Sequence, residues 1–137
     1  MIFVDTGAWI ALTDRSDQYH HEAQRIYARL KRERQTLVTS DYVVDETVTR
    51  LRYDSGHPQA VRFLDLLARA EIGHAVQRVM VTAAVFDVAV RLFRQYDTAT
   101  LSFTDCTSFA LCESLAIQEA FAFDEHFHIR GLLLSGP

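Results

Sequence analysis

The segment IFVDTGAWIAL, residues Ile2 to Leu12, places an ionisable side chain where two predicted elements meet. Ile2 to Val4 has the apolar composition of a buried strand, and Gly7 to Thr13 favours a short helix. Asp5 lies between these two elements. The segment therefore predicts a strand–turn–helix unit that carries a carboxylate at the carboxyl end of its strand.

The overall composition is that of a globular protein. The chain has 137 residues, of which 49% are hydrophobic and 23% charged, so we expect a single domain spanning residues 1–137. No apolar run approaches the length that crosses a bilayer, and the start MIFVDTG lacks the pattern of a secretory signal. We therefore expect a cytoplasmic protein with no membrane partner.

Neither the cysteines nor the net charge identifies a function. Cys106 and Cys112 lack the spacing of zinc or redox pairs, which predicts two reduced, small side chains on a helix. The formal net charge of -4 does not indicate a nucleic-acid binder. Bound divalent cations can reverse the sign of an acidic site, however, so RNA remains a possible ligand.

Strand and helix patterns alternate along the rest of the chain. This alternation predicts an α/β fold, a three-layer sandwich whose central, mostly parallel sheet of four to five strands is flanked by helices. In such sheets ligands bind beyond the carboxyl ends of the strands, where Asp5 lies. The further predicted strands are 36–39, 76–81, 119–123 and 132–134, and the further helices are 17–34, Ser40 or Asp41 to Gly56, 58–70, 82 to about 95, and 102–115.

Four acids occupy comparable places in this pattern. Asp5 ends the first strand, and Asp124 ends the strand in EAFAFDEHF. Glu46 lies about one turn into the helix of SDYVVDETVTRLR, and Asp105 lies in the first turn of the helix that LSFTDC opens. The two strand ends and the two helix starts fall at the same edge of the predicted sheet.

Each acid also has a purely structural explanation. Glu46 stands four residues before Arg50 and could form a surface ion pair with it. Asp105 has near capping-box spacing from Ser102, and the two strand-ending acids could cap a helix or open a turn. Taken together, however, four acids at one edge repel one another, and burial raises their pKa values. A divalent cation such as Mg2+ or Mn2+ removes this cost and can assist hydrolysis of a phosphodiester bond.

Four segments resemble the motifs of one family. IFVDTGAWIAL, DYVVDETVTRLR, LSFTDCTSFAL and AFAFDEHF occur in the order found in PIN-domain ribonucleases, and they span essentially the whole chain. More narrowly, the chain resembles the toxin of VapBC-type toxin–antitoxin pairs. The resemblance implies a PIN-like domain that cleaves RNA, commonly as a homodimer, and that is inhibited by a VapB-like antitoxin whose C-terminal arm covers the acidic groove.

The resemblance also implies the site residues. Thr6 matches the hydroxyl residue after the first acid, and Thr104 matches a small or hydroxyl position before the third. Either Asp105 or Asp124 would orient or deprotonate the attacking water. The residues that would hold one or two Mg2+ or Mn2+ ions are Asp5, Glu46, Asp105 and Asp124.

Several side chains are candidates for contact with RNA. Arg50 and Arg52 are placed beside Glu46, where a phosphate would approach the metal. His126, close to Asp124, is a further candidate, although no histidine or cysteine has zinc-ligand spacing from it. The basic helix end that carries Arg25, Arg29, Lys31 and Arg32 could either grip the RNA backbone or complement the helix dipole.

Three other classes of protein share some of these sequence features. The letters DTGA also mark aspartic proteases, but those need a mostly β chain, which conflicts with the helical patterns that follow Asp5. A receiver-type phosphoacceptor would need a lysine at a late strand end, and Lys31 is the only lysine. A catalytically silent PIN-like module that binds RNA or protein is the remaining alternative, and the complete set of acids argues against it.

Overall fold

The strand that begins the chain becomes the centre of the sheet. The computed structural model describes residues 1–135, and all pairings within its five-stranded sheet are parallel, in the order β3-β2-β1-β4-β5. The predicted α/β fold with a parallel sheet is therefore confirmed. The strands are β1 (Ile2–Val4), β2 (Leu37–Ser40), β3 (Val76–Val79), β4 (Glu119–Phe121) and β5 (Leu133–Leu134).

Helices connect these strands. Within residues 1–135 there are six α-helices and one 3-10 helix, Glu125–Arg130, which joins β4 to β5. Because β1 lies between β2 and β4, the direction in which the strands are added reverses next to β1. Such a reversal opens a crevice at the carboxyl ends of the two strands. The α-helices are α1 (Thr6–Thr13), α2 (His20–Arg32), α3 (Asp41–Asp54), α4 (His57–Ile72), α5 (Ala83–Gln95) and α6 (Phe103–Ser114).

The core fixes α1 directly behind the end of β1. Trp9 of α1 is fully buried, and its ring packs against Phe63 of α4 at 5.6 Å between centroids. The Trp9 Nε1 atom donates a hydrogen bond to Thr39 Oγ1 (3.2 Å), which in turn donates to the carbonyl oxygen of Val4 (3.1 Å). The backbone on both sides of Asp5 is thus held by buried contacts.

Side-chain hydrogen bonds explain two of the element boundaries that differ from the prediction. Helix α2 begins at His20 instead of residue 17, because Asp17 Oδ1 accepts a hydrogen bond from the Tyr19 backbone N–H (2.9 Å) in a turn. Strand β3 ends at Val79 instead of residue 81, because the Val81 N–H donates to Asp41 Oδ1 (2.9 Å). Asp41 is therefore not the N-cap of α3.

Hydroxyl caps begin three of the helices, as the sequence predicts. Ser40 Oγ accepts from the Val43 N–H (3.0 Å), which identifies Ser40 as the N-cap of α3. Thr82 caps α5 and Ser102 caps α6 in the same way. Such caps stabilise a helix by about 1 kcal/mol each. Residues 1–135 contain no helix with the length and apolar character that would span a bilayer.

Candidate active site

A cleft at the carboxyl ends of β1 and β4 brings the four predicted acids together. Its volume is about 390 Å³, and Asp5, Glu46, Asp105 and Asp124 all line it. Thr6 and Arg50, two further predicted site residues, line it as well. Residues separated by more than a hundred positions in the chain therefore meet at the reversal point of the sheet.

The two strand-ending acids are positioned by backbone contacts. Asp5 follows β1, and its N–H donates to the Phe121 carbonyl oxygen (3.1 Å), which ties it to the end of β4. Asp124 begins the 3-10 helix, where its Oδ1 accepts from the His126 N–H (2.9 Å). Asp124 thus opens a turn, as its structural explanation requires, and lines the cleft at the same time.

Each of the two helix-borne acids accepts a hydrogen bond on one carboxylate oxygen. Thr6 Oγ1 donates a hydrogen bond to Glu46 Oε2 (2.9 Å), which joins α1 to α3 across the cleft. Asp105 forms a capping box with Ser102: its Oδ2 accepts from the Ser102 N–H (3.0 Å), and its own N–H donates to Ser102 Oγ (3.0 Å). In both cases one carboxylate oxygen is fixed, so the direction of the other is restricted.

Of the four acids, Asp5 has the environment that most disfavours the ionised carboxylate. Its side chain is 5% exposed, and its Oδ1 atom is buried without a hydrogen-bond partner in the described part of the chain. Burial, followed by the negative charge of Asp105, raises the pKa of Asp5 to about 7. An ionised carboxylate in this position needs a cation, and a hard divalent ion matches its oxygen atoms.

Asp105 shows the same effect more weakly. Burial raises the pKa of Asp105, and the charges of Asp124 and Glu46 add to this increase, while hydrogen bonds from Ser102 oppose it. Two neighbouring acids with raised pKa values are a common feature of functional sites. The four carboxylates, with the Thr6 hydroxyl nearby, are hard oxygen donors that fit Mg2+ or Mn2+.

His126 lies closer to the acids than the sequence indicated. One ligand atom each from Asp105, Asp124 and His126 lie within 4.8 Å of one another, a spacing at which they could hold a metal ion. His126 Nδ1 is 3.1 Å from Asp124 Oδ1, without the alignment of a hydrogen bond. The spacing Asp-x-His after a strand was the only signal, and sequence alone does not show that Asp105 approaches the same point.

An aromatic pair forms part of the cleft wall. The rings of Tyr19 and Phe123 stack at 4.5 Å with an angle of 2° between their planes, and both residues line the cleft. Neither Tyr19 nor Phe123 was among the candidate site residues of the sequence analysis. The two residues are distant in sequence, so no local pattern predicts their contact.

Two predicted site residues point elsewhere. Thr104 is not among the described residues that line the cleft. Its carbonyl oxygen accepts hydrogen bonds from Thr107 Oγ1 (2.7 Å) and Ser108 Oγ (3.0 Å) within α6. Arg52 lines a different, largely apolar cavity between α3 and α4, whereas Arg50 reaches the cleft. Arg50 and Arg52 are two positions apart on α3, a rotation of about 200°, so their side chains leave nearly opposite sides of the helix.

The basic end of α2 lies apart from the acids. In the described chain the acidic cleft includes none of its side chains, and Arg29 instead forms an ion pair with Glu33 (3.5 Å). Lys31 lines a separate cavity beside α4. If this helix end contacts RNA, as the sequence analysis suggested, it does so on a surface outside the cleft. The residues of this group are Arg25, Arg29, Lys31 and Arg32.

Comparisons with known proteins agree with this architecture. The PIN domain family model matches residues 2–131. The 23S rRNA-specific endonuclease VapC20 of Mycobacterium tuberculosis, found in two strains, is 35% identical over 108 residues, which are 79% of this chain and 77% of the relative. A crystal structure of Mycobacterium tuberculosis VapC20, described as a sarcin-ricin loop cleaving toxin, covers all of both chains with a TM-score of 0.87 and 33% identity.

These likenesses define the class of protein. The chain belongs to the PIN domain family. Within that family it is a ribonuclease of the VapC toxin type, and the prediction made from the four sequence segments is confirmed. The family and the cleft together indicate dependence on a divalent metal ion.

The contact between Thr6 and Glu46 leads to a testable prediction. Thr6→Val removes the hydroxyl that fixes Glu46 Oε2, so the carboxylate loses its orientation and RNA cleavage should fall about 10- to 100-fold. Thr6→Ser keeps the hydroxyl and should retain most of the activity. The test compares the initial cleavage rates of the two variants at equal metal concentration. Equal rates for the valine and serine variants would show that the hydrogen bond has no role.

Proposed function

We propose that this protein is the toxin of a VapBC-type pair and that it hydrolyses a phosphodiester bond of ribosomal RNA with Mg2+ or Mn2+. The observation that carries the proposal is the buried, unpartnered Oδ1 atom of Asp5 in a cleft with three further acids. A fold that leaves a carboxylate in this state loses stability unless a cation is bound. In a catalytically silent module this arrangement would lower stability without serving a reaction.

The residues of the cleft have separate tasks in this proposal. Asp5, Asp105 and Asp124 would hold the metal, and Glu46, oriented by Thr6, would complete the set. When bound, the ion supplies positive charge to the phosphate and lowers the pKa of an attacking water. Asp105 or Asp124, through an oxygen not bound to the metal, would orient the attacking water and accept its proton.

Groups around the acids would position the RNA. Arg50 lines the cleft on the same helix as Glu46, where its guanidinium can contact a phosphate oxygen. The stacked pair of Tyr19 and Phe123 offers a flat surface to a base, a contact that tolerates any sequence. These residues would hold an unpaired nucleotide beside the acids, which suits a target in an RNA loop.

The substrate and the partners follow from the relatives. VapC20 is named as specific for 23S rRNA and described as cleaving the sarcin-ricin loop. We assign the same class of substrate, a structured loop of 23S rRNA, to this chain. We further propose that the protein forms a homodimer, acts in the cytoplasm and is inhibited by a VapB-like antitoxin whose arm covers the acidic cleft.

Incubation with purified ribosomes tests the proposed function. The protein is added to ribosomes with Mg2+, with Mn2+ or with excess EDTA, and the new RNA ends are mapped by primer extension. One discrete cut in 23S rRNA that needs a divalent ion is expected. Intact 23S rRNA under all three conditions, with the protein folded, would contradict the proposal and favour a silent binding module.

A further inference from the structure

A second cavity, at the opposite edge of the sheet from the acids, is lined by cations. Its volume is about 410 Å³, and it lies between α2 and α4 beside the residues that lead into β3. Lys31, Arg62 and Arg69 line it together with Tyr27 and Leu66. A cavity of this size lies in the range of ligand-binding pockets. We name the cavity lined by these five residues the cationic pocket.

The two helices face each other across this pocket with matched spacing. Tyr27 and Lys31 are four residues apart on α2, so they lie on one side of the helix. Arg62, Leu66 and Arg69 follow at intervals of four and three residues on α4 and likewise share one side. The positive charges therefore converge from two elements on one concave surface.

Nothing in the described chain neutralises these charges. Lys31, Arg62 and Arg69 take part in none of the ion pairs formed within residues 1–135, and no acid of that region lines the pocket. Glu71 on α4 is engaged by an arginine of β3 at 3.3 Å, and Asp65 pairs with neither arginine of α4. Three unpaired cations around a cavity in a protein of net charge -4 are suited to an anion.

We propose that the cationic pocket binds a backbone phosphate of the RNA substrate at a point distant from the cut. This inference rests on the proposed function, because it assumes that the substrate is RNA. The planar guanidinium groups of Arg62 and Arg69 match the geometry of a phosphate, and the Tyr27 hydroxyl supplies a further donor. A strand of four residues is about 13 Å long, so a folded RNA in the acidic cleft can also reach the opposite edge of the sheet.

The test measures RNA binding without cleavage. A fluorescent stem-loop fragment of 23S rRNA is titrated with protein in EDTA between about 50 and 200 mM KCl. The double variant Arg62→Gln/Arg69→Gln should bind about tenfold more weakly at the lowest salt concentration. Its slope of log affinity against log salt should be smaller by about 1 to 2. Arg91→Gln, which removes an exposed arginine of α5 that lines neither cavity, is the matched control.

Three results would overturn the inference. The double glutamine variant could bind with the affinity and salt slope of the Arg91→Gln control, or the unaltered protein could fail to bind the fragment. Arg62→Lys/Arg69→Lys, which keeps the charge, should retain the slope; a loss as large as that of the glutamine variant would show a structural role instead. In each case thermal unfolding confirms that the variants are folded.

Two further measurements separate this inference from its alternatives. Inorganic pyrophosphate is added as a competitor, and it should displace the RNA from the unaltered protein but not from the glutamine variant. Pyrophosphate binding that leaves RNA binding unchanged would assign the pocket to a free phosphate compound and overturn the inference. Because no cleavage is measured, a protein that binds RNA through the pocket but does not cut it would refute only the proposed function.

Discussion

Asp5→Asn should make the metal-free protein more stable while it abolishes RNA cleavage. Asp5 is buried, its Oδ1 atom lacks a partner, and burial raises its pKa to about 7. Above that pH the folded chain must hold an ionised carboxylate among three other acids. The asparagine side chain has nearly the same shape and carries no charge, so it removes this cost together with one of the proposed metal ligands.

The gain in stability should depend on pH in a defined direction. The pKa of Asp5 is higher in the folded state than its ordinary value of 3.8, so the folded state binds the proton more tightly. Its contribution to stability is therefore fully present below about pH 4 and is lost as the pH rises towards 7. The advantage of Asp5→Asn should be small at pH 4 and on the order of 4 kcal/mol at pH 8.

Thermal unfolding in EDTA at several pH values measures this effect. Asp45→Asn, which removes the same charge from an exposed position on α3, is the control and should change stability little. Added Mg2+ or Mn2+ should raise the melting temperature of the unaltered protein more than that of Asp5→Asn, because only the former keeps the full site. A wild-type protein as stable at pH 8 as the asparagine variant would show that Asp5 carries no such cost.

Asp105→Asn should lower the cleavage rate by about 10³-fold or more and leave α6 intact. Asp105 caps the helix through Oδ2, and an asparagine oxygen can accept the same hydrogen bond from Ser102. What the substitution removes is the negative charge on the oxygen that remains available to the cleft. The loss of activity should therefore occur without a comparable loss of stability.

Ser102→Ala provides the opposite change. It deletes the hydroxyl that accepts from the Asp105 N–H and should destabilise the protein by about 1 kcal/mol. Cleavage should fall far less than in Asp105→Asn, since the carboxylate remains. Denaturant unfolding and cleavage rates of the two variants are compared. If activity followed stability in both, the role of Asp105 would be limited to capping.

The fold could be predicted from the sequence because its signals are local. Neighbouring residues are enough to predict the strand that ends at Asp5. The same holds for the starts of α3 and α6, which are capped by Ser40 and Ser102. The end of β3 was predicted wrongly because the Asp41 side chain accepts a hydrogen bond from the Val81 N–H forty residues away. No pattern of neighbours contains that information.

The candidate site likewise contains some features that local sequence patterns predict and others that they do not. The convergence of the four acids follows from parallel strands and helix starts at one edge, and the structure brings all four into one cleft. The stacking of Tyr19 on Phe123 and the approach of His126 to Asp105 depend on the packing of segments that are distant in sequence. Helix periodicity does separate Arg50 from Arg52, because Arg50 lies four residues after Glu46 and shares its face of α3, whereas Arg52 lies on nearly the opposite side.

The central position of β1 has a consequence for the synthesis of the protein. Phe3 pairs with Ala120, so the middle of the sheet is completed only when residues 119–121 have left the ribosome. The acids contributed by residues 105 and 124 arrive equally late. A nascent chain therefore lacks the complete acidic cleft, and if the proposed site is correct, cleavage activity should appear only after residue 124 has left the ribosome.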